Sequence, residues 1–136
     1  HTNVKHRIAM LELALQDSPW ASISTIEIDR GGLSYTIDTL QSLQLRHPDS
    51  EFRLLIGTDQ WAQFSAWKCA DKILALAPPA IMPREGFECD HDQVLPIDLL
   101  PHSSSSIREL LSTGRPIEHI VTPKVAAYIT KHNLYH

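Results

Sequence analysis

Three short stretches of the chain hold side chains whose types and spacing could do chemistry. In "HSSSSIREL" (102–110) four serines run into Ile107, Arg108 and Glu109. The S-x-x-E spacing predicts a helix capped by Ser106, with Glu109 at its third position and Arg108 in its first turn. A cation beside the positive end of a helix is unfavourable unless an anion joins it. Ser103, Ser105 and Arg108, with the free N–H groups of the helix start, could therefore cradle a phosphate. The plainer readings are a serine linker or a capped helix with a solvent-facing arginine.

The second stretch is "GTDQWAQFSAW" (57–67), which follows an apolar run. Asp59, close behind Gly57, could accept hydrogen bonds from ribose hydroxyls, and Trp67 could stack on an aromatic ring. Alternatively, Asp59 caps the next helix and both Phe64 and Trp67 are core. The third is "GGLSYTIDTL" (31–40), where Ser34, Tyr35 and Thr36 open a helix. Backbone N–H groups there could receive a carboxylate or phosphate, or the segment is simply a capped helix after a turn. The ligand-type residues of "ECDHD" (88–92) lack a distant partner set at metal-site spacing and read as a solvated loop. His132 and His136 are four apart, but the last helix is expected to end between them.

These side chains need elements to position them. Residues 5–17 carry apolar positions at helical spacing, and the alternation in "ASISTIEID" (21–29) predicts a strand. "RGGLS" (30–34) predicts a turn, followed by a helix capped by Ser34 or Thr36 that stops before Pro48. "EFRLLIGTD" (51–59) reads as a buried parallel strand. One helical pattern then runs through Phe64, Trp67, Ile73 and Leu74 to the Pro78–Pro79 pair. "PAIMPR" (79–84) and "QVLPID" (93–98) predict further strands, the latter at an edge because of Pro96, with an acidic loop between. A helix after the serines should end at Gly114. The last should open with Thr122 and Pro123 and run to Asn133. Strands alternating with helices imply an α/β fold with a parallel sheet, whose ligands bind beyond the carboxyl ends of the strands.

Composition bounds the function. The 136 residues are 43% hydrophobic and 21% charged, which suits a single globular domain (1–136). A net charge of −4 gives no global basic field, so nucleic acid is not an expected partner and small molecules are. Two cysteines outside any C-x-x-C pair build no disulfide scaffold, and the longest apolar stretch (73–82) is broken by two prolines and too short for a bilayer. The expectation is a cytoplasmic protein with no membrane contact.

Taken in order, the motifs resemble the bacterial nicotinate-nucleotide adenylyltransferases of the nucleotidylyltransferase superfamily. "HRIAMLELAL" (6–15) is similar to the family's R-x-x-M-L-x-x-A helix, and "GLSYTIDTL" (32–40) to its G-x-S-Y-T-x-x-T-L stretch. "LLIGTDQWAQFSAWKCADKIL" (54–74) resembles the I-G-x-D … F-x-x-W … I-L block. "HSSSSIRELL" (102–111) resembles the signature I-S-S-T-x-I-R, and "VTPKVAAYITKHNLY" (121–135) the closing P-x-x-V-x-x-Y-I-x-x-x-x-L-Y. His102 stands where the signature has Ile, and Ser105 where it has Thr, which keeps the hydroxyl.

The resemblance implies a Rossmann-like, doubly wound parallel sheet. It implies transfer of the adenylyl group from ATP to nicotinate mononucleotide, giving deamido-NAD and pyrophosphate, with Mg²⁺ on the ATP phosphates. By position, Ser103, Ser105 and Arg108 would bind those phosphates, Arg108 serving catalysis, and Gly57 and Asp59 would contact the ribose. Trp67 would stack on the pyridine ring. Thr36 and the backbone after Trp67, at Lys68, would receive the nicotinate carboxylate, with Tyr35 in support. The family's opening strand and its G-G-x-F-D-P-x-H-x-G-H segment have no counterpart in the 136 residues, though His1 matches the end of a later P-P-H. The expectation is an N-terminally incomplete chain, inactive alone, with sheet edges that a missing segment or another copy in a homo-oligomer would cover. Two other readings stay open: the same chemistry on nicotinamide mononucleotide or another phosphorylated acceptor, and a noncatalytic nucleotide-binding module.

Overall fold

The computed structural model describes residues 2–98 and 102–135. His1 and His136 lie outside the described residues. In chain order the elements are α1 (Val4–Leu15), α2 (Ile26–Arg30), α3 (Thr36–Arg46), β1 (Leu54–Gly57), α4 (Thr58–Trp61), a 3₁₀ turn (Phe64–Ala66), α5 (Ala70–Leu76), β2 (Pro79–Met82), α6 (Ser104–Ser112) and α7 (Pro123–Lys131). Contacts divide them between two compact units: residues up to Ser24 with those from His102 onward, and the stretch beginning at Thr25.

The sheet lies in the unit beginning at Thr25. There β1 and β2 pair in parallel, Ile56 opposite Ile81 and Gly57 opposite Met82. Parallel strands need a crossover, and α4, the 3₁₀ turn and α5 supply it. Ile56, Ile73 and Ile81 from this βαβ unit pack with Ile37 and Leu40 of α3 and with Phe64. Ile73 and Ile81 are the largest side chains sealed from solvent. The 93–98 stretch contributes less than a strand. Ile81 N–H donates to the Gln93 carbonyl and Leu95 N–H to that of Ile81, each at 2.8 Å, giving a single parallel bridge at Val94. The next rung would need an N–H from Pro83, which has none, and Ile97 N–H turns back to the Leu95 carbonyl at 2.9 Å.

Two expectations change here. The strand predicted over 21–29 is replaced by α2. Alternation would bury Ile26 and Ile28 on one face, yet Ile26 is 5% exposed and Ile28 49%. A local turn takes over instead: Asp29 N–H donates to the Thr25 carbonyl, and the Thr25 hydroxyl to the Asp29 carboxylate at 2.8 Å. Gly31 and Gly32, with φ of 67° and 69°, then reverse the chain in a conformation that glycine adopts freely. The single helix expected between β1 and the prolines is in fact three pieces. It is broken at Cys69, whose φ of 55° is left-handed and cannot continue a right-handed helix.

The other unit packs α1, α6 and α7. Leu111, Ile117, Val125, Ala126 and Ile129 form its buried cluster, with Met10 and Leu13 of α1 against it. Both C-terminal helices end in Schellman motifs. After α6, Gly114 N–H donates to Leu111 and Arg115 N–H to Leu110. After α7, Asn133 takes the left-handed position, and its N–H and that of Leu134 donate to Thr130 and Ile129.

Candidate functional site

The predicted site residues fall into two sets, one in each unit. In the unit with α6, the cap lies three residues earlier than the S-x-x-E spacing predicts. Ser103 is the N-cap: its hydroxyl accepts from Ser106 N–H at 3.1 Å, and Ser106 Oγ accepts from Ser103 N–H at 2.9 Å. Two overlapping i, i+3 pairs were available, and the serine pair closes the box, so Glu109 takes no part. This register moves Ser104 and Ser105 into the first turn, with Arg108 one turn on. Arg108 folds back so that its Nη2 donates to Ser105 Oγ at 3.1 Å. Ser103, Ser105 and Arg108 are all exposed, and no carboxylate pairs with Arg108 among the described residues.

In the sheet unit, β1 delivers Gly57, Thr58 and Asp59 to its carboxyl end. Thr58 is 2% exposed, and its Oγ1 accepts from Arg84 N–H at 2.9 Å, which ties the ends of the two strands together. Arg84 Nε then lies 3.8 Å from Asp59 Oδ1. That is an ion pair but too long for a hydrogen bond. Both atoms are shut off from solvent without a hydrogen-bond partner among the described residues. Their polar capacity is unspent, although each side chain is about a third or more exposed. Gly57 permits this arrangement. Its backbone is ordinary extended chain, but a Cβ there would collide with Asp59 Oδ1 and lie 3.1 Å from Arg84 Nε. No local sequence pattern marks Arg84 as a partner of Asp59, which it meets through the pairing of β1 with β2.

A second cluster lies in the same unit. Tyr35 is the N-cap of α3 and offers no side-chain cap bond, and Thr36 begins the helix. The first N–H groups of a helix have no intrahelical partner, so this start can accept an anion. Lys68 bridges to it: its ammonium sits 4.2 Å from the Tyr35 ring centroid and 3.6 Å from the Asp38 carboxylate. Lys68 immediately follows Trp67, which is half-buried and tilted against Phe64 at 5.3 Å. Phe64 is core at 4% exposure and also stacks on Trp61. The four residues expected to handle one ligand, Tyr35, Thr36, Trp67 and Lys68, are thus brought into one neighbourhood. Among the described residues no group of three or more His, Cys, Asp or Glu could hold a metal ion, the "ECDHD" stretch included. No helix among them is long and apolar enough to cross a membrane.

Comparison with known proteins adds an independent finding. A family model described as cytidylyltransferase-like matches residues 1–110. A protein of Herpetosiphon aurantiacus named "Probable nicotinate-nucleotide adenylyltransferase" is 38% identical, with 95% of this chain and 72% of that protein covered. One of the same name from Hydrogenovibrio crunogenus is 34% identical, covering 98% and 74%. The chain thus spans about three quarters of the length of these relatives. Among solved structures, the Plasmodium falciparum nicotinic acid mononucleotide adenylyltransferase complexed with NaAD superposes with a TM-score of 0.77 at 23% identity, over 98% of this chain and 75% of that one. The fold is therefore the Rossmann-like α/β fold of these enzymes.

Proposed function

Because the chain belongs to the nicotinate-nucleotide adenylyltransferase family, we propose that it serves adenylyl transfer from ATP to nicotinate mononucleotide in the cytoplasm, as one α/β domain. In this reaction a phosphate oxygen of the mononucleotide attacks the α-phosphorus of ATP. The bond to the bridging oxygen breaks, and pyrophosphate leaves with the electron pair. No covalent enzyme intermediate is needed, so the chain's work is to position charges and stabilise them.

The observation that best supports this reading is the junction of Tyr35 and Lys68. It sets an uncapped helix start beside the Trp67 loop, which suits an aromatic ring bearing a carboxylate. Trp67 stacks on the pyridine ring, while Thr36 and the Lys68 backbone receive the carboxylate. Asp59, beside Gly57, accepts from the ATP ribose hydroxyls, and Arg84 pairs with it across the strand ends. Ser103, Ser105 and Arg108 take the phosphates, where Arg108 offsets charge that grows on the leaving group. Mg²⁺ is carried on the ATP phosphates, as is usual for this ion, and would neutralise part of their charge.

The test is calorimetric titration of the chain with ATP, nicotinate mononucleotide and nicotinamide mononucleotide. ATP should bind, and Arg108→Gln should weaken it about tenfold or more, the scale of one charge-assisted phosphate contact. The acid nucleotide should bind more tightly than the amide. Equal affinity for the two would overturn carboxylate recognition at Thr36 and Lys68.

A further inference from the structure

The unit containing α1, α6 and α7 has an open groove of about 1090 Å³, and Arg7 of α1 lines it together with Ser104 and Arg108 of α6. Its walls are otherwise mostly apolar, with Met10, Val121 and Val125 among them, and no carboxylate of the described residues lines it. Arg7 makes no side-chain hydrogen bond or ion pair among the described residues, and Arg108 reaches only the Ser105 hydroxyl. In a chain of net charge −4, one groove is thus lined by two arginines and, among the described residues, by no counter-charge. Two positive side chains lining one groove without a counter-charge carry a mutual repulsion, which solvent screens because both are exposed. An anion bearing several charges would relieve it, and guanidinium groups suit phosphate oxygens in particular.

We infer that Arg7 is a second phosphate-binding arginine, which with Arg108 holds the polyphosphate that departs as pyrophosphate. This rests on the adenylyl-transfer reading and extends it to a residue outside the serine–arginine stretch. Ser104 adds a hydroxyl at the same wall. The two arginines come from helices far apart in sequence, so the polyphosphate also bridges α1 and α6.

The probe is inorganic pyrophosphate, titrated calorimetrically into the full chain and into Arg7→Gln, Arg7→Lys and Arg108→Gln. Arg7 is exposed on α1, so glutamine should leave the thermal midpoint near that of the parent, and lysine provides a second variant that keeps the charge. Arg7→Gln should weaken pyrophosphate about 10- to 100-fold and leave nicotinate mononucleotide binding unchanged. Arg7→Lys should restore part of the affinity. If Arg7→Gln binds pyrophosphate within twofold of the parent while Arg108→Gln does not, the role of Arg7 is overturned and the adenylyl-transfer reading stands. If the parent binds neither pyrophosphate nor ATP, that reading falls, and the role of Arg7 with it.

Discussion

The start of α6 and the end of β1 both gather polar groups, but they are built on different scales. At α6 every contact lies within five residues: Ser103 with Ser106, and Ser105 with Arg108. The groups are exposed, and the helix forms the site as it forms itself. At β1 the groups come from positions about 26 residues apart, with Thr58 meeting Arg84 only because the two strands pair in parallel. Gly57 then leaves no room to spare. A local site can be altered piece by piece. A site made by strand pairing couples its chemistry to its packing.

The sharpest way to break this contrast is Gly57→Ala. The added methyl would overlap the Asp59 carboxylate and press on Arg84, and the shift that accommodates it should cost about 1–3 kcal/mol. Urea unfolding should show the lower midpoint, and titration should show loss of ATP binding with it. A variant of full stability and full affinity would mean that the end of β1 is looser than its geometry implies.

At α6 the same two quantities should separate. Ser103→Ala removes the cap acceptor and should cost about 1 kcal/mol. Ser103→Asp keeps an acceptor for Ser106 N–H and places a negative charge where the helix dipole favours it, so stability should stay within about 0.5 kcal/mol of the parent. The carboxylate would nevertheless repel phosphate, and ATP affinity should fall. Paired unfolding and titration curves check this. Parallel loss in both variants would show that the cap and the ligand contact are inseparable here too.

The same contrast governs how much was legible in the sequence. Features written in neighbouring residues were readable: the turn at Gly31 and Gly32, Pro123 opening α7, Gly114 closing α6, and the apolar runs that became β1 and β2. Where two local rules overlapped, sequence alone could not choose. Ser103–Ser106 and Ser106–Glu109 are both allowed capping pairs, and the helix takes the earlier one. "ASISTIEID" met the strand pattern, but the Thr25–Asp29 pair favoured a short helix and Ile26 alone went inward. Arg84 was least legible, because no local pattern joins it to Asp59 and only the register of Gly57 opposite Met82 does. Tyr35 and Lys68 were each readable as candidates, but their contact depends on how α3 packs against the βαβ unit.

The smallest expected effect tests whether the loop after Trp67 belongs with the strand-built site or with the tolerant local kind. Cys69 holds φ 55° and ψ 44° at the start of α5, one residue past Lys68. A left-handed conformation costs a non-glycine residue roughly 1–2 kcal/mol. Cys69→Gly removes that cost but gives the unfolded chain more freedom, worth about 0.4–1 kcal/mol in the other direction. The net change should be stabilising by less than about 1 kcal/mol, read as a small rise in thermal midpoint. Cys69→Val should move the other way, since a β-branched side chain is poorly tolerated at positive φ. If the backbone at Cys69 sets where Lys68 meets Tyr35 and Asp38, the valine variant should also bind nicotinate mononucleotide more weakly while pyrophosphate affinity stays unchanged. Unchanged affinity for both ligands would instead place the loop with the tolerant kind, its aim fixed by Trp67 packing on Phe64 rather than by the turn that follows.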